Sequence, residues 1–152
     1  MSRWPTGHDV IEKLLTMRRL QAITGAQANG EPWLTKARRT LETAKHITDD
    51  DPESAYVLAY DAARHACTAL LTQQGLRPTS TGGHYVIEEA LRAQFGDHFK
   101  TFGTLRRRRN ELEYPTYPGD LAEPEEAHEA IEHTQRIIAV AEKLLPNLGF
   151  FT

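Results

Sequence analysis

Apolar residues recur along this chain at intervals of three and four, and no segment shows the two-residue alternation or β-branched enrichment of a strand. A chain patterned this way can bury its apolar surface only by laying helix against helix. Its 152 residues suffice for one hydrophobic core and are too few to suggest two. The expectation is therefore an all-α protein: an up-and-down helical bundle of about five helices over residues 31–152, preceded by an N-terminal helical arm over residues 1–30.

Local signals place the helices. Val10, Ile11, Leu14, Leu15 and Arg18 lie at helical spacing over residues 8–22, and the pattern fades between Gly25 and Gly30. Leu34, Ala37, Leu41, Ala44 and Ile47 form one stripe of a second helix, over residues 32–47. The next start is the clearest: Asp51 can cap orphan amides, Pro52 is preorganised for the first helical position, and Glu53 suits the positive end of the dipole. The long helix that follows carries Tyr56, Ala59, Tyr60, Ala63, Cys67, Leu70 and Leu71 on a wide apolar face, until Gly75 ends it.

After a loop at residues 75–84, shorter helices are expected over 84–94 and 97–113. The latter stops because Tyr114 precedes Pro115, whose ring disfavours helical geometry in the residue before it. A final helix over residues 123–145 turns Ala127, Ile131, Thr134, Ile138, Ala141 and Leu145 inward. Glu125, Glu126, Glu129 and Glu132 give it an acidic outer face, either a solvated surface or a contact for a basic partner.

Composition narrows the function. A formal net charge of −3 argues against coating nucleic acid by bulk charge, so any contact with phosphates must be local. The longest apolar run is only a few residues, so no membrane segment or secretory signal is expected and the protein is placed in the cytoplasm. A single cysteine, Cys67, excludes an internal disulfide and a cysteine-based zinc site. The histidines include no pair four residues apart; His128 and His133 are five apart and would not share a helix face. Gly82-Gly83 lacks the Lys-Ser/Thr of a phosphate loop. No metal and no cofactor are expected.

The chemistry concentrates in Leu105-Arg106-Arg107-Arg108-Arg109-Asn110-Glu111-Leu112-Glu113-Tyr114-Pro115. Four consecutive arginines on a helix point in four directions. Phe102, Leu105, Arg109 and Leu112 follow the spacing of one apolar stripe, which sets Arg109 in the row to be buried and Arg106, Arg107 and Arg108 at its sides. A buried guanidinium needs an acceptor, since an unpaired buried charge costs roughly several kcal/mol. The acceptor is either a carboxylate, with Glu113 and Asp61 as candidates, or a bound phosphate.

Arg109-Asn110, followed by three residues and an aromatic at the end of a bundle helix, resembles the motif of the HEPN family. The run Ala55-Tyr56-Val57-Leu58-Ala59-Tyr60-Asp61-Ala62-Ala63-Arg64-His65-Ala66 resembles that family's long second helix, and the likeness extends over residues 33–145. In catalytic members an Arg, a polar residue and a His four to six positions after the Arg form a metal-independent ribonuclease site, assembled in a cleft between two subunits.

The resemblance implies a homodimer that works on RNA, of the kind found as the ribonuclease half of toxin–antitoxin or defence systems. It also implies site roles for Arg109, Asn110 and Tyr114, with Arg106, Arg108, Tyr117 and His84 as RNA or phosphate contacts. The motif His is replaced by Tyr114, whose pKa near 10 leaves roughly one molecule in a thousand ionised at neutral pH, so catalysis should be weak or absent. The rival expectation is a non-catalytic helical dimerisation module that binds a partner protein such as a small nucleotidyltransferase.

Overall fold

The Asp51 carboxylate accepts a hydrogen bond from the Ser54 amide at 3.1 Å, and this cap starts the helix around which the rest is arranged. The computed structural model describes residues 2–80 and 83–152. In chain order it contains α1 (His8–Thr16), β1 (Leu20–Ala22), α2 (Glu31–Ile47), α3 (Pro52–Gln73) and β2 (Leu76–Pro78). These are followed by α4 (His84–Phe95), α5 (Lys100–Glu113) and α6 (Pro124–Leu144). Single 3₁₀ turns occupy Gly25–Gln27, Gly96–Phe99 and Leu145–Asn147.

The molecule is an all-α helical bundle with one very small sheet. Helix α3 is its axis. Ala55, Ala59, Ala62, Ala63, Ala66 and Ala69 are all fully buried, and these small side chains let α2, α4, α5 and α6 all pack against it. Cys67 is buried among them as a small apolar residue. At Gly30, just before α2, a methyl group would run into the Ala69 carbonyl and the Leu145 side chain, so the chain enters α2 in direct contact with the α3 backbone. The Gly30 amide donates there to Gln73 Oε1 at 2.9 Å. Helix α6 closes the other side with Ala127, Ile131, Thr134, Ile138 and Ala141 buried, and Thr134 Oγ1 donates to the Ala59 carbonyl at 2.9 Å.

The expected helix over residues 8–22 and the expected absence of strands are both overturned. Helix α1 ends at Thr16, and Arg18 adopts a left-handed φ of 59°. Leu20–Ala22 then pairs antiparallel with Leu76–Pro78, Leu20 facing Pro78, Gln21 facing Arg77 and Ala22 facing Leu76. The pairing buries Leu20 and Leu76, and it occupies part of what was expected to be a loop at 75–84. Gly82 of the expected glycine turn lies outside the described residues. The N-terminal segment shares the core of the bundle: Ile11 and Leu14 are buried, and α1 packs on α4.

The last expected boundary holds for the stated reason. Tyr114 sits at φ −129° and ψ 65°, off the helical track, while its amide still donates to the Asn110 carbonyl at 2.9 Å.

Candidate functional site

On α5 the arginine run divides by helix face, and each face meets a different neighbour. Arg106 reaches Glu88 on α4, Nε to Oε1 at 3.4 Å, with its guanidinium 5.4 Å from the centre of the Tyr85 ring. Arg107 is exposed. Arg108 turns toward α6 and the loop before it, donating from Nε to Glu126 at 2.6 Å and from Nη1 to Asp120 at 3.0 Å. Those bonds, Glu126 first, push the guanidinium pKa further up, so Arg108 is a fixed cation clamped between two carboxylates. Arg109 pairs with Glu113 at 3.2 Å and donates to Asn110 Oδ1 at 3.4 Å.

The distribution corrects the expected placement. Arg109 was to be buried alone, yet the side chains of Arg106, Arg108 and Arg109 are 17%, 20% and 21% exposed. The apolar row of α5 is set by Phe102, Leu105 and Leu112, all buried, and the three arginines are covered because neighbouring carboxylates draw them in.

Arg109 differs from the other two in what lies beneath it. Its guanidinium stands 5.8 Å from the centre of the Tyr60 ring, which stacks on Phe102 at 5.4 Å and meets the His84 ring at 5.5 Å. Tyr60 is fully buried on α3, and its hydroxyl, like Arg109 Nε, has no hydrogen-bond partner among the described residues. Burial raises the Tyr60 pKa well above its ordinary value, so the phenol is a neutral donor. One turn further along α3, Arg64 has Asp61 at 3.9 Å as an ion partner, and its Nε is also buried without an acceptor. Burial raises the Asp61 pKa while Arg64 and Arg109 oppose the shift.

The structure thus gathers Arg109 and His84 around Tyr60, with Asn110 bonded to Arg109 and Arg64 one turn along α3. His84 opens α4 without capping it and is pushed down to about 4, first by burial and then by Arg64, Arg109 and Arg106. It is a neutral imidazole at neutral pH, able to accept a proton. Arg108 lies on another side of α5. Tyr114 and Tyr117, in the segment after α5, are 78% and 60% exposed, and Leu121 beside them is also exposed.

Sequence reasoning placed Tyr60 only on an apolar face and gave Arg64 no role. The available signal was their spacing of four, which sets a phenol and a guanidinium on one side of α3. Chemically the cluster joins two guanidiniums, each paired with a carboxylate, to N–H and O–H groups without partners among the described residues, and guanidiniums suit phosphoryl oxygens. Among the described residues no group of His, Cys, Asp or Glu side chains could hold a metal ion, and no helix is long and apolar enough to cross a membrane.

No curated protein and no solved structure matches the chain. A family model, the HEPN domain, matches residues 31–144, which takes in α2 to α6 and every residue of the Tyr60 cluster. The chain belongs to the HEPN domain family.

Proposed function

We propose that this protein is an RNA-directed member of the family, in which Arg109 holds a backbone phosphate, Asn110 fixes the guanidinium, and ribonuclease activity is weak or absent. The observation that carries the reading is the mostly covered Arg109 guanidinium, held by Glu113 and Asn110 over the Tyr60 ring with its Nε lacking a partner among the described residues. A phosphoryl oxygen would meet the exposed part of that guanidinium with its direction already set.

Proton transfer is the weak element. Tyr114 stands far into solvent, with a side chain suited to stacking on a base. His84 is close enough to the cluster to accept a proton, but an imidazole this acidic is a poor proton shuttle at neutral pH. A role as the ribonuclease half of a toxin–antitoxin or defence pair is consistent with this site, with the two copies of a homodimer bringing their Arg109 clusters to one cleft.

A second reading is supported by the exposed Tyr114, Tyr117 and Leu121, which form an apolar and aromatic stretch suited to a protein contact. On that reading the domain is a non-catalytic dimerisation module for a partner such as a small nucleotidyltransferase. Titration of unstructured RNA against wild type and Arg109→Ala separates the two. RNA binding that depends on Arg109 supports the first, and no RNA binding by either protein supports the second.

A further inference from the structure

Three carboxylates share Arg108: Glu126 at 2.6 Å, Asp120 at 3.0 Å and Glu111 at 3.5 Å. A cleft of about 270 Å³ opens beside them between α3, α5 and α6, with Arg108 and Glu126 in its walls. Glu129 stands in the same walls and has no ion-pair partner among the described residues. One guanidinium thus serves four carboxylates around this cleft, an excess of negative charge as large as the net charge of the whole chain, −3.

Acidic residues on a helix face are by themselves a solvated surface, but a covered phenol among them is not explained that way. Tyr56 lines the cleft from α3, is 4% exposed, and makes no hydrogen bond through its hydroxyl among the described residues. Burial first, and then the charge of Glu126, push the phenol up to about 12, with Glu111 and Glu129 acting in the same sense and Arg108 against them. The complement of this place is therefore a cation that brings N–H groups. A metal ion is not that cation, since among the described residues no group of side chains could hold one.

A primary ammonium carries three N–H donors and no acceptor, and Glu126, Glu129 and the phenol oxygen offer it three acceptors. The Tyr56 ring adds a face that attracts positive charge. Leu105 and Ala130, buried and apolar, line the same cleft and can cover the methylenes behind the ammonium. Outside the cleft the charge continues along α6, where Glu125, Glu129 and Glu132 are exposed at spacings of four and three and so share one stripe. Ammonium groups three or four methylenes apart match that interval.

We propose that this cleft binds a linear aliphatic polyamine, one ammonium between Tyr56, Glu126 and Glu129 and the next along the glutamate stripe of α6. The inference goes beyond the Arg109 reading and does not rest on it. The same ammonium chemistry is offered by lysine side chains of a protein segment, which the test tells apart.

Calorimetric titration of the intact protein with spermidine, butylamine and magnesium chloride tests it. Spermidine should bind at least about tenfold more tightly than butylamine, because each further ammonium adds a charge-assisted bond, and magnesium at equal charge should not displace it. Glu129→Gln and Tyr56→Phe should each weaken spermidine binding by about threefold or more, as loss of one hydrogen-bond acceptor does. Both variants should melt as the wild type does, since Glu129 is exposed and the Tyr56 hydroxyl has no protein partner to lose. Glu142→Gln, the same change of charge near the other end of α6, should leave binding intact. An acetylated trilysine amide, equal to spermidine in charge, identifies the source: tighter binding of spermidine supports a free polyamine, and tighter binding of the peptide overturns that assignment. Absence of spermidine binding, displacement by magnesium, or affinity unchanged in both Glu129→Gln and Tyr56→Phe overturns the proposal.

Discussion

Arg109 is paired on its own helix by Glu113 and Asn110, so removing it cannot strand a partner deep in the core. Arg109→Ala should therefore fold normally and weaken RNA binding by about tenfold, whereas exposed Arg107 should change it less than about twofold. Filter-binding at fixed salt reads both, and equal losses would mean that the run acts as undivided charge. Tyr114→His should raise RNA cleavage above a wild type with little or none, since a positioned imidazole near its ordinary pKa contributes on the order of a hundredfold or more. The substitution is tolerable sterically because Tyr114 is mostly exposed. Cleavage in wild type that survives Tyr114→Phe and dies with Arg109→Ala would instead put the proton on His84. The place of Arg109 in a family-like motif was legible in the sequence. Its equal burial with Arg106 and Arg108 was not, because Glu88, Asp120 and Glu126 come from other elements and no spacing along α5 reveals them.

Among the elements, the contact between the start of α2 and the C-terminal end of α3 is a tight constraint on the bundle. Gly30→Ala should destabilise the protein by about 1–3 kcal/mol, as overpacking against a fixed backbone carbonyl does, and lower the urea midpoint accordingly. A variant as stable as wild type would show that the two helices can slide apart at no cost. Helix positions were readable where local chemistry decides them: Asp51-Pro52 at the start of α3, Tyr114-Pro115 after α5, and the three-and-four spacing of α2 and α6. The sheet was hidden for a physical reason. Three-residue strands are too short to show an alternation, and Leu20–Ala22 is held by a partner more than fifty residues away, so periodicity alone extended α1 through it.

At the scale of the whole molecule, the homodimer implied by the family is checked by light scattering at micromolar concentration, where a pure monomer would sink it and with it the shared cleft. Acid stability follows from the monomer itself. His65, buried against Trp33, and His84 are both pushed down to about 4, by burial first and then by cations: Arg64 and Lys36 for His65, and Arg64, Arg109 and Arg106 for His84. In the unfolded chain each titrates near 6.5. Between about pH 6.5 and 4 the unfolded state therefore binds more protons than the native state, so stability falls as pH falls through that window and is fully restored above it. Asp61 acts in the opposite sense, because burial raises its pKa and its protonation favours the native form. The urea midpoint should drop between pH 7 and pH 5, and His65→Phe, which removes one of the two proton acceptors and keeps a ring beside Trp33, should shrink that drop. A midpoint that holds or rises on acidification would mean that both imidazoles are already charged in the native protein, and the cation-rich surroundings of Tyr60 would then have to contain an anion at rest.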